Sequence, residues 1–209
     1  MSEAPRPAES RRSAQSVATR TVILAAAQRL MLERGYIPTS IAAIAAEAGV
    51  AVQTIYNSVG GKAELLSAVL DLSAAGPDAP GPAPESVARR YAEARTAGDV
   101  IRTLVDGIVT ANERSAAVHR VIIQAAGVDA DLEKLEIRRS TQRLHAYGSA
   151  ASALRARRGL RSGLSDHEAA AAIWALGHPQ AFRSLVTDLG WSGPAYRDWL
   201  VKSLQGALS

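Results

Sequence analysis

Residues 35–62 read GYIPTSIAAIAAEAGVAVQTIYNSVGGK, and the spacing within this stretch decides the fold. Thr39 or Ser40 can cap a helix, because a hydroxyl there can accept one of the free backbone N–H groups of the first turn. Ile41, Ile44 and Ala45 then recur on one face at helical spacing. Ala45 and Ala48 are small enough for a second helix to cross close by. Gly49 stops the first helix, since glycine adopts the left-handed conformation of such a stop without a Cβ clash. Val50 returns to the core, and a second short helix runs from about Ala51 to Ser58 with Ile55 inward. Val52, Gln53, Thr54, Tyr56 and Asn57 are left on or near the exposed side. A hydroxyl, an amide pair and a phenol on a short exposed helix suit the major groove of DNA. On the turn alone, an ordinary helical hairpin fits as well.

The flanking residues separate the two readings. TVILAAAQRLMLERGY, TSIAAIAAEAGV, TIY and GGKAELLSAV follow one another within residues 21–69. In that order and spacing they resemble the N-terminal domain of the TetR family of transcriptional regulators. The resemblance implies an all-α chain: a three-helix helix-turn-helix DNA-binding domain, then an antiparallel helical domain for ligand binding and dimerisation. Three departures from the family pattern bear on the placement of the reading helix. Ala51 stands where a capping serine is usual. Asn57, Ser58 and Val59 replace a run that ordinarily ends in His and Phe, and Gly60-Gly61 loosens the exit.

Gln53 can offer a donor and an acceptor to an adenine edge, and Val52 and the Thr54 methyl can touch thymine methyls. Tyr56, Lys62 and Thr39 are expected at phosphates, and Asn57 and Ser58 lie within reach of DNA. A lysine at a helix N-terminus opposes the helix dipole at about 0.3–1 kcal/mol, a cost that a bound phosphate reverses. In the family, the lysine at position 62 contacts the DNA backbone.

The composition agrees with packed helices. The chain has 209 residues, 47% hydrophobic but only 4% aromatic, so alanine carries much of the apolar content. It has no cysteine, which rules out disulfides and thiolate metal sites. No run of 18 apolar residues and no signal-peptide pattern occurs, so neither membrane association nor export is expected, and a cytoplasmic location is. Net charge is +4; residues 1–62 carry seven basic and four acidic side chains, so most of the excess lies beside the helix-turn-helix.

Residues 1–16 read as a disordered basic arm. Arg6, Arg11 and Arg12, with Arg20 beyond it, could reach a minor groove, although a solubilising tail is the simpler reading. Residues 17–72 form the expected DNA-binding domain. Its first helix, Val17 to Arg34, puts Val22, Ile23, Ala26, Leu30 and Met31 on an apolar face, and a fourth helix starts near Lys62. Residues 73–86, SAAGPDAPGPAPES, hold four prolines and two glycines and read as a linker or loop. Residues 87–209 form the expected effector-binding and dimerisation domain. Helices are predicted near 86–96, 98–113, 115–126, 130–158, 166–189 and 193–207, with Asp99, Asp129 and Asp166 as caps or first-turn acids. Arg155, Arg157, Arg158 and Arg161 read as solvated cations at a helix C-terminus, in preference to a nucleic-acid patch.

The C-terminal stretch resembles the end of many TetR-family chains, where the last two helices pack against a second subunit. Ile173, Phe182, Leu185, Leu189, Trp199 and Leu204 are the implied homodimer contacts. All three tryptophans lie in this region, and aromatics favour interfaces. No HExxH, GxSxG, phosphate loop or dinucleotide fingerprint is present, so no enzyme, cofactor or metal chemistry is expected.

The expected function is that of a homodimeric regulator, a repressor that binds a near-palindromic double-stranded DNA operator and is released by a small molecule. The rival readings are a regulator that senses a partner protein instead, and an all-helical enzyme or carrier with an incidental hairpin. Asn112, His119, Gln124, Tyr147, Trp174 and His178 are the polar and aromatic candidates for the effector cavity. They favour a neutral or weakly polar ligand. Val105 and Ile108 are expected to carry the ligand signal to Leu65 and Leu66 of the fourth helix.

Overall fold

The computed structural model describes residues 7–76, 84–127 and 129–209, with side chains from residue 15 onward except 84–88. No strand occurs among the described residues, and no helix among them is long and apolar enough to cross a membrane. The elements are α1 (Pro7–Arg34), α2 (Ile41–Ala48), α3 (Val52–Ser58), α4 (Lys62–Ala75), α5 (Pro84–Glu93), α6 (Ala97–Ala126), α7 (Ala130–Ala156), α8 (Asp166–Leu176), α9 (Pro179–Phe182), a π-helical turn (Arg183–Asp188) and α10 (Gly193–Leu208).

The helices form two compact units that are not consecutive in sequence. One comprises Met1–Asp71 with Ala117–Leu135, the other Leu72–Ala116 with Glu136–Ser209. The sequence boundaries at 17–72 and 87–209 thus miss a segment: the end of α6 and the start of α7 belong with the N-terminal helices. In the first unit the buried side chains include Ile23, Ala27, Leu30 and Met31 of α1, Ile44 of α2, Ile55 of α3 and Leu65, Leu66 and Val69 of α4. Val118, Val121, Ile122, Ala125 and Leu132 are buried in the same unit. Val22, expected inward, is 51% exposed, and Leu24 and Ala27 are inward instead. In the second unit Val100, Leu104 and Val105 of α6, Ala150 and Leu154 of α7, Ile173 of α8, and Tyr196, Leu200 and Leu204 of α10 form one core. Its alanines allow close helix approach. Val105 and Ile108 lie in this core, so on α6 the side chains that share a unit with Leu65 and Leu66 of α4 are those after Ala116.

Several boundaries differ from expectation for local reasons. Helix α1 begins at Pro7 rather than near Val17, so residues 7–16 are helical and not a disordered arm. Proline suits a first helical turn, and the alanines, Arg11, Arg12 and Gln15 that follow are good helix formers. Residues 1–6 lie outside the described residues, as do 77–83 of the expected linker. The flanks of that linker are helical: α4 runs to Ala75 and α5 starts at Pro84. Gly76, at φ 90°, ends α4, and Arg114 Nη1 donates to the Ala75 carbonyl at 2.8 Å.

The break expected near Arg114 is absent. No Gly or Pro lies between Gly107 and Gly127, and the Ser115 hydroxyl donates back to Ala111 O at 2.6 Å, so α6 is continuous over 30 residues. The helix expected over 166–189 does break, at Gly177-His178-Pro179. Pro179 has no N–H to give, and His178 caps the next turn by accepting the Gln180 N–H through Nδ1 at 3.1 Å.

Capping is explicit elsewhere. Asp129 Oδ1 accepts from Asp131 N and Leu132 N at the start of α7. Thr96 and Asp99 exchange hydrogen bonds at the start of α6, and Ser165 and Glu168 form a capping box on α8. Asp166 is a first-turn acid of α8, not its cap, and it pairs with Arg155. Three of the four arginines of the cluster, two of them exposed, also brace the fold. Arg157 donates to Ala92 O, Ala94 O and Ala153 O, Arg155 to Leu164 O, and Arg161 to Ala207 O.

Candidate nucleic-acid interface and sensing residues

The geometry of the 35–62 stretch follows its residues closely. Ser40, not Thr39, caps α2 by accepting the Ala43 N–H at 3.1 Å. Gly49 sits at φ 66°, and its N–H and that of Val50 close onto Ala46 O and Ala45 O. These paired bonds are the Schellman stop, and they set the angle at which the chain enters α3. Ala51 precedes α3 without a side-chain cap, as the missing hydroxyl implied.

On α3, Ile55 is fully buried and anchors the helix. Val52, Gln53, Tyr56 and Asn57 are exposed, with Thr54 and Ser58 at the edge. The Gln53 amide donates to Asn57 Oδ1 at 3.0 Å, so the central polar side chain is braced one turn along its own helix. Gln53 is exposed, and an amide has a carbonyl oxygen and a second hydrogen besides the one used here.

The C-terminus of α3 is held by Arg20, whose Nη1 donates to Ser58 O at 2.5 Å. The sequence offers Arg20 as part of a solubilising tail or, less simply, of an arm at a minor groove; in the structure it positions the reading helix. Nothing near Arg20 in the chain points to a partner 38 residues away.

Lys62 opens α4. Its ammonium donates to Ile37 O at 3.1 Å and lies 4.2 Å over the Tyr36 ring. Burial lowers its pKa, with Asp129 acting in the opposite direction. Burial and the neighbouring Asp129 carboxylate push the Tyr36 phenol well above its ordinary range. Lys62 is thus held in place before any phosphate arrives, with donor hydrogens still free.

Thr39 is a correction. It is 1% exposed, and its hydroxyl donates to Gly35 O at 2.7 Å, so it ties the α1–α2 turn instead of facing a phosphate. A threonine side chain next to a sharp turn finds the local carbonyl first.

The six effector candidates do not form one set. His119 and Gln124 fall in the first unit, and Gln124 is exposed. Because α6 does not break, they follow its far end into that unit. Asn112, Tyr147, Trp174 and His178 stay in the second. Asn112 is buried and donates to Gly177 O at 3.3 Å. The Trp174 and His178 rings meet edge to face at 4.9 Å. Burial raises Tyr147 to about 12 and lowers His178. Composition gave no sign of the charged pair beside them: Arg143 Nη2 lies 3.7 Å from Glu136 Oε1. A separate open groove of about 290 Å³ is lined by Thr141, Leu144, His145, Gly148, Asp166, His167 and Ala170, and includes none of the six. Among the described residues no cluster of three or more His, Asp or Glu side chains could hold a metal ion.

The dimer set also divides. Ile173, Phe182 and Leu204 are within 5% of full burial in their own chain, so they build its core and offer no face to a partner. Leu185 and Trp199 are half-buried, and Leu189 is 67% exposed. Trp191, 37% exposed and edge to face with Trp199 at 6.4 Å, joins them at the surface.

Residues 23–69 match the family model described as bacterial regulatory proteins, tetR family. No curated protein matches the chain. Among solved structures, NalD, the secondary repressor of the MexAB-OprM multidrug efflux pump in Pseudomonas aeruginosa, is similar at TM-score 0.68 and 23% identity, covering 92% of this chain and 98% of that one. SmeT, in complex with triclosan, is similar at TM-score 0.61 and 21% identity, covering 89% and 91%. At these identities the likeness is one of fold.

Proposed function

We propose, from the premise that the chain carries the N-terminal DNA-binding domain of the tetR family of bacterial regulators, that it is a homodimeric repressor released from its operator by a small molecule. The observation that carries this reading is α3, a seven-residue helix anchored by one buried isoleucine and otherwise turned outward with an amide pair and a phenol. Lys62 and the braced Gln53 add preorganised phosphate and base contacts. One head reads only a few base pairs. Two heads on a dyad read a near-palindrome with half-sites about 34–36 Å apart or a multiple of that. Leu189, Trp191 and the flanking Leu185 and Trp199 are the side chains offered to the second copy. Repression by NalD and the ligand bound to SmeT support release by an effector. The site of action would be the cytoplasm, where operator DNA lies.

The test is selection of duplexes from a random pool, followed by fluorescence anisotropy. Gln53→Ala should change the base preference by about 1–3 kcal/mol at one position per half-site. Failure of the pool to yield any enriched near-palindrome would overturn the reading.

A further inference from the structure

Among the described residues, three buried side-chain polar atoms lack a hydrogen-bond partner: Glu136 Oε2, Trp174 Nε1 and Tyr196 Oη. All three belong to the second unit, on α7, α8 and α10. Such atoms are costly to hide from water, and most folds pair them. None falls among the described residues of the first unit.

The surroundings connect them. Glu136, Arg143 and Tyr147 are spaced seven and eleven residues apart along α7, which puts them on one face of the helix. Arg143 bridges toward Glu136 at 3.7 Å and is near enough to His178 to influence its proton. His178 meets the Trp174 ring at 4.9 Å. Tyr147 and Tyr196 are close enough to influence one another. Asn112 approaches the Tyr196 hydroxyl, but the geometry of a good hydrogen bond is lacking. The open groove along Thr141, His145 and Gly148 lies on a different face of α7 and takes no part.

The chemistry of these atoms constrains the guest. A carboxylate oxygen only accepts, an indole N–H only donates, and a phenol does either. Glu136 and Arg143 already balance each other's charge, so an ionic guest would bring a charge with no counterpart. The flanking rings favour a planar aromatic body. We propose that the three atoms orient an effector in the second unit, a neutral hydroxylated aromatic molecule. Its hydroxyl donates to Glu136, and a carbonyl or second hydroxyl oxygen accepts from Trp174 and Tyr196. The proposal rests on the reading of the chain as an effector-released regulator and names the class of that effector.

Calorimetric titration of the full-length protein tests it with three neutral probes, 4-hydroxybenzanilide, 4-hydroxybenzophenone and resorcinol. The ionic comparators are 4-hydroxybenzoate and benzyltrimethylammonium. At least one neutral probe should bind about tenfold or more tightly than either ion. Trp174→Phe and Tyr196→Phe should each weaken it by about tenfold, the scale of one buried hydrogen bond. Tyr196→Phe should not lower the melting temperature without probe, because the hydroxyl it removes has no hydrogen-bond partner to lose. Trp174→Phe also shortens the ring that meets His178, so its probe affinity is measured well below its own melting transition. His145→Ala, in the separate groove, should leave binding unchanged. No binding by any neutral probe, preference for an ion, or undiminished binding in both phenylalanine variants would overturn the proposal. DNA binding is measured on the same samples without probe. A protein that binds selected DNA but fails these titrations removes the effector class alone; one that binds a neutral probe through Trp174 and Tyr196 but no DNA removes the regulator reading alone.

Discussion

Replacing Lys62 by methionine isolates the charge from the packing. The methionine stem can still lie over the Tyr36 ring, while the bond to Ile37 O, the ammonium's contact with that ring at 4.2 Å and its attraction to Asp129 are given up. Lys62 is half-buried at the surface, so the fold should survive. Each phosphate neutralised on duplex DNA contributes about 0.9 to the slope of log K against log salt, so a dimer that loses two such contacts should lose about 1.8. Between ~50 and ~200 mM salt, that difference amounts to about twelvefold in affinity. Fluorescence anisotropy on the selected operator and on an unrelated duplex should show the same flattening on both, because a phosphate contact carries no base information. An unchanged slope, or one that flattens on the operator alone, would refute the phosphate role.

Arg157→Leu leaves the carbonyls of Ala92 and Ala94 without their donor, and should lower stability by about 2 kcal/mol and the melting temperature by roughly 4–8 °C. A calorimetric scan within 1 °C (about the error of the method) of the parent would show the brace to be incidental. Burial first, then Arg143, lowers the His178 pKa below its ordinary 6.5, so the unfolded chain takes up the proton first as pH falls. Stability present above pH 6.5 is therefore lost below it. His178→Asn keeps a cap acceptor without titrating, and its stability should be flatter between 6.5 and the carboxylate range near 4.5. An equally steep urea-denaturation profile in the variant would count against His178. Leu189→Asp should turn dimers into monomers in sedimentation and weaken binding to a two-half-site duplex by about tenfold or more; an unchanged dimer would place the contact elsewhere.

Much of the reading head is legible because its signals are local. A hydroxyl at Ser40, glycine at 49, apolar spacing through Ile44 and Ile55, and the residues left over on α3 all act within a turn or two of themselves. Thr39 was misplaced because two hydroxyls stood side by side, and only the fold decides which one caps and which one turns inward. The break near Arg114 was misplaced for a related reason. Asn112, Glu113 and Ser115 look like a polar interruption, but Ser115 bonds back to Ala111 within the helix and Asn112 reaches across to Gly177, and the helix is unbroken. Long-range contacts left no trace in the chain. Arg157 reaches back to α5, Arg20 reaches forward to Ser58, and Asn112 reaches Gly177, each across many residues. The three tryptophans read as either interface or core, and composition could not tell Phe182 of the core from Leu189 of the exterior.

The non-consecutive make-up of the first unit limits how this gene can recombine. A crossover just after Ala75 would carry α1 to α4 into another protein while leaving Val118, Val121, Ile122, Ala125 and Leu132 behind with the old body. The transplanted head would meet a foreign set of partners for its apolar side chains, and the stranded segment would lose its own. New pairings of reading head and sensor would then require compensating changes near residues 117–135. Divergence by point substitution on α3, where Val52, Gln53, Tyr56 and Asn57 face outward and support nothing inside, is the less obstructed route to a new operator.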